Sequence, residues 1–560
     1  MARREQHIKK QHLGEPPHPP LHMTRKNFLY NFFKSKKETT SADLGIEKSG
    51  DLTNQEQNVT GETIEKYNVN IFGAHAHVDI VKGKDFVSLY ELSLPPVETE
   101  TKLLDEVKEK LAADVSASEE TDFKTFRALR EQVKLYAEKL LEDSIPDISE
   151  KDKTQLAVYL LNEVLGLGSL EYLFSDNNVG EIVVNSSKEP VWVYHKNHGW
   201  LKTNIRIQDE EQIAKYASII AKRTGKQIGD SGLLDANLIS GDKANATLFP
   251  VSTKGNTLTI RKFARNPWTI TDFISNKTIT TEAAALVWQV VQYEGSLIVS
   301  GGTATGKTSF LQACLPFIQP NQRIISIEEA RELLLPRLLH WIPMAARGNS
   351  EGKGEVSVHD LMVNALKMRP DKIVLGEIKK REHAEALFEA AHTGHSVYST
   401  LHADTAEQAI SKLLNPPISV PKNQLGAIDL LVVMYRDRRR DYRRVSDVAE
   451  IVPVLTEGSE ALRPNVIYHW HPASDRMEED KSPVKLFEKI SFYTGLGEPE
   501  LRDDLAGKKK ILEWMVKNKI TNLEKVGKVI AEYYRDAKSV ADAACKNKKP
   551  EVILDKYGEK

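Results

Sequence analysis

Cysteine is nearly absent: Cys314 and Cys545 are the only two in 560 residues, far apart and in no CxxC pair. That excludes a disulfide framework and a structural zinc site built on thiolates, and it suits a reducing, cytoplasmic setting. No apolar run approaches the roughly 18 residues that would cross a bilayer, so any membrane association is expected to be peripheral. The basic N-terminus runs into Pro and His rather than an apolar core, so no secretory signal is expected. A formal charge of −2 gives no global reason to expect nucleic-acid binding. Internal repeats and low-complexity tracts are missing too.

Hydrophobic residues at 40% and charged residues at 28% form an ordinary globular balance. The length suggests about three or four domains. Residues 1–60 lack a sustained period and are expected to be a basic, mostly disordered tail. Up to Lys37 it carries nine Lys or Arg against Glu5 and Glu15, around Asn27-Phe28-Leu29-Tyr30-Asn31-Phe32-Phe33. Two readings stand for that piece: a solvated tail, or an amphipathic segment that touches anionic lipid or a membrane partner.

An N-terminal α+β domain is expected over 61–148, with strands at Val69–Phe72 and Val78–Val81. Its helix from about 99 to 113 carries Leu103, Leu104, Val107 and Leu111 on one face, and a second helix covers about 122–142. A second α+β domain covers 149–265. Gln155 to Leu165 reads as a helix stopped by Gly166 and Gly168. Strands follow at Gly180–Asn185, Val191–Tyr194 and Leu258–Arg261, with a helix at Glu210–Arg223. A linker fills 266–280. From 281 to 456, short buried runs at Leu297–Ser300, Arg323–Ile327 and Lys372–Leu375 alternate with helical patterns, which predicts a parallel sheet. Residues 457–560 are expected to be helical.

Gly301-Gly302-Thr303-Ala304-Thr305-Gly306-Lys307-Thr308 has the form G-x-x-x-x-G-K-T of a Walker A loop. It follows a strand pattern and opens a helix at Ser309. Its glycines let successive backbone N–H groups curl round phosphate oxygens, and the helix N-terminus adds favourable partial charge. Lys307 is expected to reach the β- and γ-phosphates and Thr308 to ligate Mg²⁺. Phosphoryl transfer also needs an acid near the metal and a group to position water. Glu328-Glu329 and Glu377 lie at strand ends, where a parallel sheet places its ligand crevice. Asp371, at the start of its strand, reads as a turn residue. His395 and His402 are seven apart across a strand, which argues against a zinc pair; His402 is a candidate γ-phosphate sensor. His75, His77 and Asp79 share one strand face, and a sheet surface is preferred there to a metal site.

Taken in order, these segments resemble the secretion ATPase superfamily of type II secretion, type IV pili, type IV secretion and archaeal flagella. The boxes are Walker A, the acidic box Ser326 to Leu333, a Walker B region Leu366 to Ile378, and a histidine box Thr393 to Asp404. The likeness spans about 65–545. Gly166 to Glu171 with Gly180 to Asn185 looks like that family's PAS-like domain. Gly348 to Val356, Trp514 and Tyr533-Tyr534 look archaeal, like a pilus or archaellum motor.

The resemblance implies a RecA-like P-loop motor domain with a parallel sheet, preceded by the PAS-like domain and followed by a helical C-terminal region. It implies hydrolysis of ATP with Mg²⁺ at Gly301 to Ser309. Glu328 would act on the lytic water, Glu377 would hold Mg²⁺ through water, His402 would sense the γ-phosphate, and Arg261 would complete the site. Lys243 stands where the family usually has arginine, which leaves Arg347 and Arg369 as further candidates for a trans contact. Implied partners are a homo-hexamer, a polytopic membrane platform protein and, indirectly, pilin-like subunits, with the protein on the inner face of the membrane. The alternative is a nucleic-acid translocase using the basic run Arg436 to Arg444, which Asp437 and Asp441 interrupt; nucleic acid is not the expected partner.

Overall fold

The computed structural model describes residues 62–557 apart from 84–86, 96, 98–100, 117–122, 146, 230, 239–240, 264–265, 348–353, 441 and 457–458. The basic tail, the last two residues of the expected 149–265 domain and most of the 348–356 segment lie outside the described residues. The described residues form two compact units, one of 62–83 with 91–172, the other of 87–90 with 173–557.

The first unit opens with an antiparallel hairpin of β1 (Thr63–Ile71) and β2 (Ala74–Val81). Phe72 and Gly73 turn it with positive φ of 49° and 94°, the twist a two-residue hairpin prefers. Helices Thr101–Ser116, Phe123–Ser144 and Glu150–Leu165 bury Val107, Leu111, Ala137, Leu141 and Leu160 in a common core. Ser149 caps the third helix by accepting from the Asp152 amide, and Gly166 ends it. His77 is bonded to Asn68 and lies 3.6 Å from Asp79, which also pairs with Lys66. Among the described residues no group of three His, Cys, Asp or Glu side chains is arranged to hold a metal.

The second unit contains two sheets. In the first, Leu89 and Tyr90 of β3 (Leu89–Ser93) run parallel to β6 (Gly199–Arg206). The order continues through β5 (Pro190–His195), β4 (Val179–Val184), β9 (Thr257–Arg261), β8 (Lys243–Thr247) and β7 (Leu233–Asn237). From β6 to β7 every pairing is antiparallel. Helix Glu210–Arg223 buries Ile213, Ala217 and Ile220, so this part is α+β.

The second sheet positions the chemistry. Its strands are β10 (Leu297–Gly301), β11 (Ile324–Glu328), β12 (Trp341–Ala345), β13 (Lys372–Leu375), β14 (Ser396–Leu401) and β15 (Leu430–Asp437). They lie parallel in the order β12-β11-β13-β14-β10-β15. Every residue of β10, β11, β13 and β14 is buried, as strands covered on both faces must be. Leu297 and Val299 face one apolar core and Ile298 the other.

The expectation of helix from 457 onward is corrected at its start. Strands β16 (Tyr442–Thr456), β17 (Ser459–His471) and β18 (Arg476–Glu479) extend the sheet antiparallel from β15. β17 carries Val466-Ile467-Tyr468-His469-Trp470, a β-branched and aromatic run in which Ile467, Tyr468 and Trp470 are buried; the polar residues around it disguise the strand. Helices begin at Lys485–Thr494 and continue through Glu498–Lys517, Leu523–Arg535 and Ala537–Cys545. Leu512, Trp514, Val529 and Ile530 join the core that contains Leu297 and Trp288. Trp288 stacks on Phe317 at 5.2 Å and meets the edge of Tyr533 at 4.8 Å.

Candidate nucleotide site

Four segments singled out in the sequence leave the sheet at one edge. The loop at 301–306 follows β10, Glu328 ends β11, Gly376-Glu377 follow β13, and His402 follows β14. These strands are neighbours and parallel, so their carboxyl ends form one continuous rim. Hydrogen bonds stitch the rim together. Ser300 Oγ donates to Ala403 O at 2.6 Å, Thr400 Oγ1 to Gly376 O at 2.7 Å, and the Gly376 amide to Ile327 O at 2.9 Å. Asp371 lies at the other end of β13 and accepts from the Arg323 amide at 2.6 Å, as a turn residue does. His395 precedes β14, seven residues and a whole strand away from His402.

The loop needs its glycines. At Gly301 φ is 150°, and an added Cβ would lie 2.5 Å from Met434 O and 2.7 Å from Thr305 Oγ1. Gly306 adopts φ 93° and caps helix Lys307–Cys314, so the chain turns tightly into the helix. Thr305 Oγ1 and Lys307 Nζ both donate to Gly302 O, at 3.0 and 2.8 Å. Burial lowers the pKa of Lys307, and the carboxylates of Glu377 and Asp404 work against that shift. Asp404 lies close by: a Cβ on Gly302 would come within 2.6 Å of its Oδ1. Thr303 and Ala304 are exposed, Thr308 is half-buried and Ser309 is exposed.

Glu328 is 2% exposed. One oxygen accepts from the amides of Glu332 at 2.8 Å and Leu333 at 3.1 Å, while Oε2 is buried without a hydrogen-bond partner. Burial pushes its pKa up to about 7, with the Glu332 charge adding to the rise and the two amides and Arg331 opposing it. Glu377 is half-buried, 3.5 Å from Lys379, which also pairs with Glu329 at 2.6 Å. His402 is exposed, and its carbonyl accepts from Lys412 at 2.7 Å. Arg261 stands opposite Lys243 in the β8–β9 register, with Nε 3.1 Å from Glu181.

Two further residues stand at the rim. Asp404 closes the histidine box, and the fold brings its carboxylate against the loop. Arg443 belongs to the basic run. Its Nε donates to Ala304 O and its terminal nitrogen to Tyr194 OH, both at 3.3 Å. The next residue, Arg444, makes a two-point bond to Asp475 at 2.7 and 2.8 Å. The run is therefore a β15–β16 hairpin with two arginines turned to intramolecular partners.

The donor set fits a nucleoside triphosphate with a divalent cation. The loop leaves room only for backbone, a lysine lies inside it, and hydroxyl and carboxylate groups flank it. The orphaned Glu328 oxygen is a buried acceptor that awaits a proton donor such as water.

A family model described as "Type II/IV secretion system protein" matches residues 241–437. An uncharacterized protein of Methanocaldococcus jannaschii is 33% identical over 394 residues, covering 69% of this chain and 71% of that protein. The type IV secretion system protein PtlH of Bordetella pertussis is 26% identical, covering 50% of this chain and 91% of PtlH. The X-ray structure of the Legionella pneumophila ATPase DotB covers 65% of this chain and 94% of that chain, at 18% identity and a TM-score of 0.37.

Proposed function

Because the chain belongs to the type II/IV secretion system protein family, we propose that it is a Mg²⁺-dependent ATP hydrolase that drives a secretion or pilus-type machine from the membrane surface. The observation that carries this reading is Glu328: a carboxylate buried at the same sheet rim from which the glycine-lysine loop leaves, one oxygen tied down and the other without a hydrogen-bond partner. Bound Mg-ATP would supply an electrophilic phosphorus and a cation that offsets phosphate charge.

The chain's own groups would do the rest. Lys307 would exchange its bond to Gly302 O for phosphate oxygens, and the amides of Gly302 to Thr308 would hold the phosphates at the helix N-terminus. Thr308 and Glu377 would hold the cation, Glu377 through water. Glu328 Oε2 would accept a proton from the attacking water, and a pKa of about 7 suits a base that must both take and release it. His402 would read the γ-phosphate. Arg261 is assigned to completing the site in the assembled ring, a role that suits an exposed arginine fork.

In this reading six copies form a ring, and hydrolysis moves a polytopic platform protein that lifts pilin-like subunits. No helix among the described residues is long and apolar enough to cross a membrane, so contact with the membrane would be peripheral. Affinity capture of the tagged protein from cross-linked native membranes tests the machine-level claim. Recovery of a polytopic protein with pilin-like subunits supports it. Recovery of DNA-processing proteins without a platform protein overturns it.

A further inference from the structure

Lys243 opens β8 on the first sheet of the second unit, and its ammonium lies 2.8 Å from the Glu332 carboxylate. Glu332 follows β11, and its own amide donates to Glu328 at 2.8 Å. A single ion pair from one sheet therefore ends on the residue whose backbone grips the buried carboxylate of the other.

The rest of the acidic segment is already secured. Glu329 pairs with Lys379, the Arg331 guanidinium lies over the Trp341 ring at 5.6 Å, and Leu333 and Leu335 are buried in the core. Glu332 is where the segment meets β8. Both side chains of the pair are more than a third exposed, at 34% and 39%. Screened by solvent, such a pair adds little to stability. Its effect is geometric: it fixes where the Glu332 backbone lies, and the Glu332 amide fixes the Glu328 carboxyl.

We infer that Lys243 is a positioning residue for hydrolysis, holding the segment after β11 through Glu332 so that Glu328 presents its free oxygen to the site. The inference rests on the hydrolase reading above. A lysine suffices here, because the contact is a single ammonium–carboxylate pair that makes no use of a guanidinium fork.

The test is steady-state phosphate release by the full-length chain, with a thermal melt of each variant. Lys243→Ala is expected to lower kcat about ten- to a hundredfold, the scale on which small misplacements of catalytic groups act. KM for ATP should stay within about twofold, because in this inference Lys243 acts through Glu332 and not on the nucleotide. Lys243→Arg should retain most of the activity. The exchange Lys243→Glu with Glu332→Lys should recover most of what either single change loses, and it is decisive should Lys243→Ala not fold.

An unchanged kcat in Lys243→Ala overturns the inference. So does a raised KM at unchanged kcat, or an exchange variant no better than its single changes. A wild-type chain without ATP hydrolysis overturns the hydrolase reading itself; a wild type that hydrolyses ATP while the variants behave like it overturns the inference alone.

Discussion

Glu328 shows how position changes an ordinary side chain, and the proposed function makes it a base. In water a glutamate is ionised at neutral pH and too weak to take a proton usefully. Buried at the end of β11, with one oxygen unsatisfied, it pays for ionisation in lost solvation, and its pKa rises to about 7. Two consequences have a defined sign. The base must be deprotonated, so kcat should rise with pH through about 7 and level off above it. Stability should move the other way: the folded state holds its proton across the interval from 4.5 to about 7 in which the unfolded chain releases it. Folding is therefore penalised progressively as pH rises through that interval, by at most about 3 kcal/mol above it. Glu328→Gln should melt higher than wild type at pH 8, with the difference closing toward pH 5, as differential scanning fluorimetry would show. Equal melting temperatures at both values would contradict the assigned burial cost.

At the scale of elements, the sequence revealed what backbone chemistry dictates and concealed what tertiary contact supplies. The turn through Gly301 and Gly306 into helix Lys307–Cys314 was legible because its positive φ angles favour glycine at those places. The buried strands β10, β11 and β13 were legible because a covered strand is an unbroken apolar run. β17 and β18 were not, since a sheet's antiparallel extension is half polar and its pairing partner is distant in sequence. Arg443 and Asp404 were hidden for a related reason: an arginine in a basic run and an aspartate after a histidine carry no mark of the loop they approach. The roles given to Glu377, His402 and Arg261 came from the family pattern, and the geometry adds to them only the rim on which the first two stand. The loop itself supports a sharp expectation. Gly301→Ala would force a Cβ to within 2.5 Å of Met434 O at φ 150°. It should cost about 1–3 kcal/mol and abolish binding of a fluorescent ATP analogue. Unchanged binding would mean that the loop does not need this backbone approach.

For the molecule as a whole, the second unit ties its parts to the nucleotide rim from several directions. The C-terminal helices share a core with the parallel sheet through Trp288, Trp514 and Tyr533. The first sheet reaches the rim through Lys243 at the acidic segment and through Tyr194, by way of Arg443, at the phosphate loop. Under the proposed function, a site braced this way would pass a change at the phosphates to its neighbours as motion.

The central claim is that this rim hydrolyses ATP with Glu328 as base. It is tested most directly by measuring phosphate release and ATP binding side by side for the full-length wild type, Lys307→Ala and Glu328→Gln. The account predicts hydrolysis by the wild type and its loss in Lys307→Ala together with weakened binding. For Glu328→Gln it predicts binding close to wild type with hydrolysis reduced about 10²- to 10⁴-fold, the contribution of a general base. Hydrolysis by Glu328→Gln at the wild-type rate would contradict it.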